Sequence, residues 1–393
     1  MIIQFSIKNF TSFKDKVTLD LSAVHAYKEH ESNLIDLGLK DKFLKVVSIY
    51  GANASGKSNL CLALDNFKKL VEESLNSAKE KEDLAVSKYY LPFEFTKERE
   101  NTELELVWIH DHYEYKYGFE YNSEKIATEW FYKKNTKTNR NTTVFERNMD
   151  EIQFGASVRK YCEPYRHQIP KETLALTFLS KLKLPMNTFS DASDTITDIM
   201  VGDSRYFESK AYLTKFLPGV IDTDKENLLR FLDAIDSGIK DIYYEKSEDQ
   251  TLVWTEYHDV EGNCYKLSLL RESHGTNKSI MLYILSKWAI NNGYTMVIDE
   301  LNTRLHPLLL KFIIDLFYEH NTQAQLIYTT HDTTLLDRQF FRRDQILFVN
   351  KDEFGRSELV ALSDYKVRSD ASFEKDYLAG VYGGIPSLSN YQL

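Results

Sequence analysis

Gly51-Ala52-Asn53-Ala54-Ser55-Gly56-Lys57-Ser58 decides the reading of this 393-residue chain. The stretch satisfies GxxxxGK[S/T]. It lies between an apolar run, Lys45-Val46-Val47-Ser48-Ile49-Tyr50, and a helix-like run, Asn59-Leu60-Cys61-Leu62-Ala63-Leu64. Strand, glycine-rich loop and helix in that order predict a phosphate-binding loop. Glycine lets the backbone wrap an anion, so that consecutive N–H groups and the helix N-terminus face it. Gly51, Asn53, Ala54, Ser55, Gly56 and Asn59 are therefore candidate nucleotide contacts. Lys57 is placed to reach the β- and γ-phosphates and Ser58 to ligate Mg²⁺. The expected ligands are ATP and Mg²⁺.

Composition bounds the class without choosing within it. Hydrophobic content of 42% and charged content of 27% fit a globular chain with an ample core. The formal net charge of -10 argues against a surface that grips nucleic acid throughout, leaving a local basic patch open. Cys61, Cys162 and Cys264 stand apart, in no metal-ligand spacing, which suits thiols in a reducing, cytoplasmic setting. No apolar stretch reaches the length of a membrane span, so no membrane partner is expected.

Tyr294-Thr295-Met296-Val297-Ile298-Asp299-Glu300 has the pattern of a buried strand ending in two acids. Asp299 would hold the Mg²⁺ shell, and Glu300 would orient and activate the attacking water. The distance along the chain from 57 to 299 is too long for a simple nucleotide-binding domain, so a substantial insertion is expected. Just upstream, Glu272-Ser273-His274-Gly275-Thr276 precedes a helix pattern with Met281, Leu282, Ile284, Leu285, Trp288 and Ala289 as its apolar stripe. Ser273 or Thr276 suits the N-cap.

The order of these pieces resembles ABC-type ATPases. There, a Ser-x-Gly signature, here Ser273 and Gly275, completes the nucleotide site of the opposite subunit, which implies a head-to-tail homodimer with ATP sandwiched between chains. Leu301-Asn302-Thr303-Arg304-Leu305-His306-Pro307 stands where that class carries its D-loop, and Pro307 can open the next helix. Gln325-Leu326-Ile327-Tyr328-Thr329-Thr330-His331-Asp332 is a further strand ending at His331, the place of the switch histidine.

The opening Ile2-Ile3-Gln4-Phe5-Ser6-Ile7-Lys8-Asn9-Phe10-Thr11-Ser12-Phe13 looks like the first strands of RecF, SMC and OLD ATPases. The chain most resembles bacterial AAA-family ATPases of the OLD-related, abortive-infection type. They share an Asp-Glu-Leu…Leu-His-Pro segment, as in Asp299 to Pro307, and a tail like Asp344–Val349 through Asp370–Tyr377. The resemblance covers residues 1–65 and 265–385. It implies Mg²⁺-dependent ATP hydrolysis, a dimer or higher oligomer, and a role in anti-phage defence with a separately encoded toxin or nuclease as effector and a phage trigger. A RecF/SMC-like DNA-maintenance ATPase and a non-hydrolysing nucleotide-bound scaffold are the alternatives. Thr11 departs from the basic residue of many relatives, and Tyr90-Leu91-Pro92-Phe93-Glu94 offers no Q-loop glutamine. Several relatives append a Toprim nuclease; residues 332–393 are too few for one.

The expected fold is α/β: an ABC-type P-loop ATPase head, a mixed sheet flanked by helices, without a long coiled coil. Residues 1–65 carry the phosphate loop, and 265–393 carry signature, Walker B, D-loop and switch histidine. Residues 66–264 form the insertion. Within it, 88–157 read as antiparallel strands and 170–236 as helices with loops near Pro185 and Pro218, and strands return at 241–269. His110-Asp111-His112 reads as a hairpin turn. Asp222-Thr223-Asp224 reads as a polar loop before a helix, and Arg338–Arg343 as a solvated helix face or a basic patch.

Overall fold

Val46-Val47-Ser48-Ile49-Tyr50 is buried at every position, which a strand achieves only at the centre of a sheet covered on both faces. The computed structural model describes residues 1–76, 83–149, 151–207, 209–235, 237–246, 250–319, 321–368 and 371–385. Asp370 of the tail lies outside the described residues.

From the amino terminus come β1 (Ile2–Lys8), β2 (Val17–Asp20), a short pair β3 (Leu34–Ile35) and β4 (Phe43–Leu44), then β5 (Val46–Tyr50) and α1 (Lys57–Glu73). After α2 (Ala85–Lys88) there are five strands: β6 (Thr102–His110), β7 (Tyr113–Tyr121), β8 (Ile126–Asn135), β9 (Asn141–Asn148) and β10 (Glu151–Phe154). Helices α3 (Arg159–Cys162), α4 (Ala175–Ser180) and α5 (Thr188–Thr197) precede β11 (Met200–Gly202), α6 (Ser204–Phe207) and α7 (Lys210–Ala234). An antiparallel trio, β12 (Asp241–Lys246), β13 (Thr251–His258) and β14 (Cys264–Ser268), leads to α8 (His274–Asn292). The chain continues through β15 (Thr295–Ile298), α9 (Pro307–Glu319), β16 (Gln325–Thr329), β17 (Ile346–Lys351), β18 (Ser357–Ala361) and α10 (Phe373–Leu378).

Two sheets organise this order. The first runs β11-β15-β16-β5-β17-β18 and is parallel except at β18. The second is antiparallel, β10-β9-β8-β7-β6-β1-β2. In it Ile7 pairs with Leu104, so residues 102–154, expected within the insertion, complete a sheet begun by the first strand. Likewise α1 runs unbroken across the boundary drawn at 65/66, and β14 across that at 264/265. The antiparallel texture of 88–157 and the hairpin at His110–His112 are as the alternation predicts.

The parallel sheet has a core on each face. On one, Val47 and Ile49 meet Leu60, Ala63, Leu64, Phe67 and Leu70 of α1, and beyond them the antiparallel sheet. Phe67 stacks on Phe119 at 5.3 Å between ring centres. The other face is covered by α7, α8 and α9. The stripe expected on α8 is buried except for Trp288, which is 47% exposed. Gln325, fully buried, ties the two sheets together: its amide donates to the carbonyls of Ile2 and Leu44, and its Oε1 accepts from Ile2 N–H and the Thr295 hydroxyl.

Three local expectations are corrected. Pro218 lies inside α7 and not in a loop, and the helix kinks further on, at Asp224 (φ -148°, ψ 30°). Asp222-Thr223-Asp224 therefore sits at that kink, with Asp222 accepting from the Tyr244 hydroxyl at 2.9 Å. Residues 338–342 are not helical, and within the segment Arg342 is fully buried while Arg338 stays exposed. Its guanidinium pairs with Asp344 at 2.8 Å and donates to the carbonyls of Val24, Tyr27 and Glu29. Charge clustering in sequence reports composition, whereas burial follows from the acceptors that folding brings together.

Removing Arg342 leaves Asp344 buried without its cation. Arg342→Ala is expected to cost about 3–5 kcal/mol of stability, read from the urea unfolding midpoint. A loss below about 1 kcal/mol, the level of an exposed pair, would show that the clamp carries no weight.

Candidate functional site

Parallel strands deliver their carboxyl ends to one edge of a sheet, where ligands bind in open α/β folds. Here β5 delivers the phosphate loop, β15 delivers Asp299 and Glu300, and β16 delivers Thr330 and His331 to the same edge. The motifs scattered from 51 to 331 are thereby gathered at one place.

The loop's glycines are required by close approach. A Cβ on Gly51 would lie 2.6 Å from Ser55 Oγ and 2.7 Å from the Val349 carbonyl oxygen. Gly56, the N-cap of α1, has φ 118°, and a Cβ there would lie 2.5 Å from Ser357 Oγ and 2.7 Å from Ser12 Oγ. Asn53, Ala54 and Ser58 are exposed along the rim, while Ser55 is buried. The Ser55 hydroxyl has no hydrogen-bond partner among the described residues. Lys57 is also buried and donates to the carbonyls of Gly51 at 2.8 Å and Ala52 at 3.0 Å. Burial draws its ammonium below the ordinary lysine value, opposed by Asp299 and Glu300. A cation held dry beside a nest of N–H groups, with an orphaned hydroxyl in the loop, fits a triphosphate.

The acid pair is braced from β16. Thr329 donates its hydroxyl to Asp299 Oδ1 at 2.6 Å and accepts from Glu300 N–H at 2.8 Å. The Asp299 N–H donates to the Gly202 carbonyl of β11 at 3.0 Å. Glu300 has φ 52°, a left-handed conformation that non-glycine residues rarely hold and that turns the chain sharply after the strand. Ser58, at the start of α1, and Asp299 would offer the oxygen donors Mg²⁺ prefers. At the end of β16, burial and then the charge of Lys57 hold His331 below the ordinary histidine value, with Glu300 and Asp299 opposing.

Ser273 and Gly275 lie at the N-terminus of α8 and not at the strand ends. Ser273 is the N-cap of α8, its Oγ accepting from Thr276 N–H at 3.0 Å, and it is exposed with His274. Gly275 backs onto the segment after Glu300: a Cβ there would meet the Arg304 carbonyl oxygen at 3.2 Å. Pro307 opens α9 as expected. The Asn59 amide donates to Ser12 Oγ at 2.8 Å.

Several contributors were not singled out in the sequence. Ser357 Oγ donates to the Ser55 carbonyl at 2.5 Å and lies 2.7 Å from Ser12 Oγ, so the loop is strapped to both ends of the chain. Lys278, fully buried in α8, donates to the carbonyls of Glu300 at 3.4 Å and Thr303 at 2.8 Å. Only its place three residues after Gly275 could have drawn attention to it. The tail closes beneath the loop, where a Cβ on Gly384 would lie 3.3 Å from Gly51 Cα. Thr11, at φ 49°, donates its N–H to the Leu91 carbonyl at 2.7 Å, which ties down the segment Tyr90–Glu94.

A phosphate loop and a doubled acid strand separated from it by β16, on a mixed α/β sheet flanked by helices, give the fold of a P-loop ATPase head of the ABC type. Residues 46–337 match the family described as "AAA domain, putative AbiEii toxin, Type IV TA system", and the chain belongs to that family. No protein of curated function matches the sequence. Similar solved structures include an SMC head bound to the C-winged helix domain of ScpA (14% identity over 96% of this chain and 99% of that one, TM-score 0.44). The SMC head domain from Thermotoga maritima is similar at 14% identity, over 92% of this chain and 98% of that one, with a TM-score of 0.42. An SMC head derived from Pyrococcus furiosus, bound to the C-terminal domain of ScpA, gives 13% identity, 96% and 98% coverage and a TM-score of 0.41. Among the described residues no helix is long and apolar enough to cross a membrane.

Gly56→Ala tests the loop. Backbone strain of about 1–3 kcal/mol adds to the contacts with Ser12 and Ser357. Affinity for a fluorescent ATP analogue is expected to fall at least tenfold, the equivalent of about 1.4 kcal/mol, with the circular dichroism spectrum preserved. Unchanged affinity would remove Gly56 from the site.

Proposed function

We propose that this chain binds ATP with Mg²⁺, closes into a head-to-tail homodimer around it, and hydrolyses it to reopen. The observation that carries this reading is the division of the site. Loop, acids and His331 share one edge, while the capped N-terminus of α8 lies outside those strand ends with Ser273 exposed and Gly275 half-buried. A helix N-terminus with free N–H groups is a phosphate-binding surface, and a second copy would supply it to each site.

Within that site, Lys57 would exchange the carbonyls of Gly51 and Ala52 for phosphate oxygens. Ser58 and Asp299 would hold Mg²⁺, which neutralises charge on the phosphates. Glu300 would accept the proton of the water that attacks the γ-phosphorus as the bond to the bridging oxygen breaks. His331 would hydrogen-bond the transferred group. Lys278 would carry motion of the signature helix to the backbone that positions Glu300.

We further propose that the dimer controls a separately encoded effector in bacterial defence, as in OLD-related abortive-infection ATPases. Support comes from the Asp299–Pro307 segment and from the family's description, which speaks of a type IV toxin–antitoxin system.

Opposite effects are expected from two variants. Lys57→Ala removes the phosphate partner and should abolish nucleotide binding. Glu300→Gln keeps binding but slows hydrolysis, and should accumulate as an ATP-bound dimer in light scattering. Mixing Lys57→Ala with Gly275→Asp chains should restore turnover through heterodimers that hold one intact site. Equal association of Glu300→Gln and Lys57→Ala, or heterodimers without rescue, would sink the shared-site reading.

The chain is also expected to leave DNA and RNA intact with Mg²⁺ or Mn²⁺, because Asp299 and Glu300 belong to the triphosphate site and two-metal cleavage needs a further carboxylate cluster. Cleavage by homogeneous protein that survives Lys57→Ala and disappears with Asp222→Ala would make the chain its own effector.

A further inference from the structure

The β13–β14 hairpin carries a second constellation that the ATPase chemistry does not use. Glu256 and His258 are two residues apart on β13 and share a face; Cys264 is the direct cross-strand partner of His258. The ligating atoms of Glu256, His258 and Cys264 all lie within 4.8 Å of one another, and His258 Nε2 is 2.9 Å from Glu256 Oε1. Among the described residues, no other trio of His, Cys, Asp and Glu brings such atoms this close. We propose that this hairpin binds one Zn²⁺ through Glu256, His258 and Cys264.

The fit is chemical as well as geometric. Bonds of about 2.0–2.3 Å to a tetrahedral Zn²⁺ place ligand atoms about 3.3–3.8 Å apart. His258 and Cys264 are exposed, so they reach that spacing by side-chain rotation. Thiolate, imidazole and carboxylate together select Zn²⁺ over Mg²⁺, which prefers an all-oxygen shell. The metal at the hairpin is thereby distinct from the one expected at Ser58 and Asp299. Three protein ligands leave a fourth position for water.

The framework is preorganised. Asp259 accepts from the N–H groups of Glu261 and Asn263, both at 2.9 Å, and from the Tyr265 hydroxyl at 3.1 Å, which fixes the turn joining the strands. Lys266 stands opposite Glu256 but leans over the Tyr243 ring, with Nζ 4.9 Å from its centre, so the cation is drawn aside from the trio. Slight desolvation and then the Glu256 carboxylate push the Cys264 thiol up from its ordinary value. A bound cation reverses that bias by favouring the thiolate.

The opposite face gives the site a connection. Thr255 and Tyr257 alternate with the proposed ligands and donate their hydroxyls to Glu272 Oε1 at 2.5 and 2.8 Å, immediately before Ser273. A metal that stiffens the hairpin would stiffen the anchor of the signature helix. This connection rests on the shared-site reading; the metal site itself does not.

The test uses the reduced full-length chain, stripped of metal and titrated with Co²⁺ in the absence of nucleotide. One equivalent is expected to produce thiolate-to-cobalt charge-transfer absorption and the intense visible bands of four-coordinate cobalt, both bleached by Zn²⁺. Cys264→Ser should abolish the charge-transfer band, and His258→Ala should weaken Zn²⁺ binding by at least roughly tenfold. Both positions are exposed, and thermal melting of the metal-free variants checks that they fold. Absence of the band in the parent chain, or a band that survives Cys264→Ser and therefore arises at Cys61 or Cys162, would overturn the proposal. Loss of ATP turnover in Lys57→Ala with the cobalt spectrum intact would separate this site from the nucleotide site.

Discussion

One strand, β16, sets the geometry on which the rest of the site depends. It lies between β5 and β15 and is hydrogen-bonded to both, so the strand that ends in the phosphate loop and the strand that ends in the acids are held two sheet spacings apart, about 10 Å. That gap accommodates a triphosphate tail and its metal. β16 also finishes the site it spaces, because Thr329 grips Asp299 and the Glu300 backbone together. A shift of β16 by one residue would turn Thr329 to the other face and release both acids.

Electrostatics follows from that spacing. Lys57 is buried at the bottom of the loop, where a charge is costly unless it is paired, and its present partners are two backbone carbonyls. A phosphate would be a far better one. The left-handed φ of Glu300 adds local strain of about 1–3 kcal/mol, and the hydroxyl of Thr329 and the ammonium of Lys278 hold that turn in place from opposite sides. The site keeps a desolvated cation and a strained acid because neighbouring elements over-determine both.

The parts of this arrangement legible in the sequence were those that depend on short-range spacing. Gly51 to Ser58 must be contiguous to wrap an anion, Asp299 and Glu300 must end a strand, and Ser273 must cap a helix; each rule acts within a few residues. Pairings between distant segments left no such trace. Alternation in 102–154 announced strands but not that β6 would add to β1, since a strand's pattern gives its buried face and not its neighbour. Ser12 and Ser357 meet under the loop from opposite ends of the chain, and neither carries a local signal. Arg342 looked like surface charge because its acceptors, the carbonyls of Val24, Tyr27 and Glu29, lie more than 300 positions away.

The same long-range closure constrains how the protein is made. The neighbours of β5 in the sheet are β16 and β17, drawn from residues 325–329 and 346–351. During synthesis from the amino terminus, the phosphate loop emerges on a strand whose two edges have no partners until residues 325–351 have left the ribosome. Open apolar strand edges invite pairing with other chains, and contacts of such sequence separation form slowly. Nascent copies are therefore most exposed to aggregation and to chaperone capture between the emergence of β5 and that of β17. The same delay keeps the phosphate loop from meeting the acids until β16, which joins β5 to β15, has emerged.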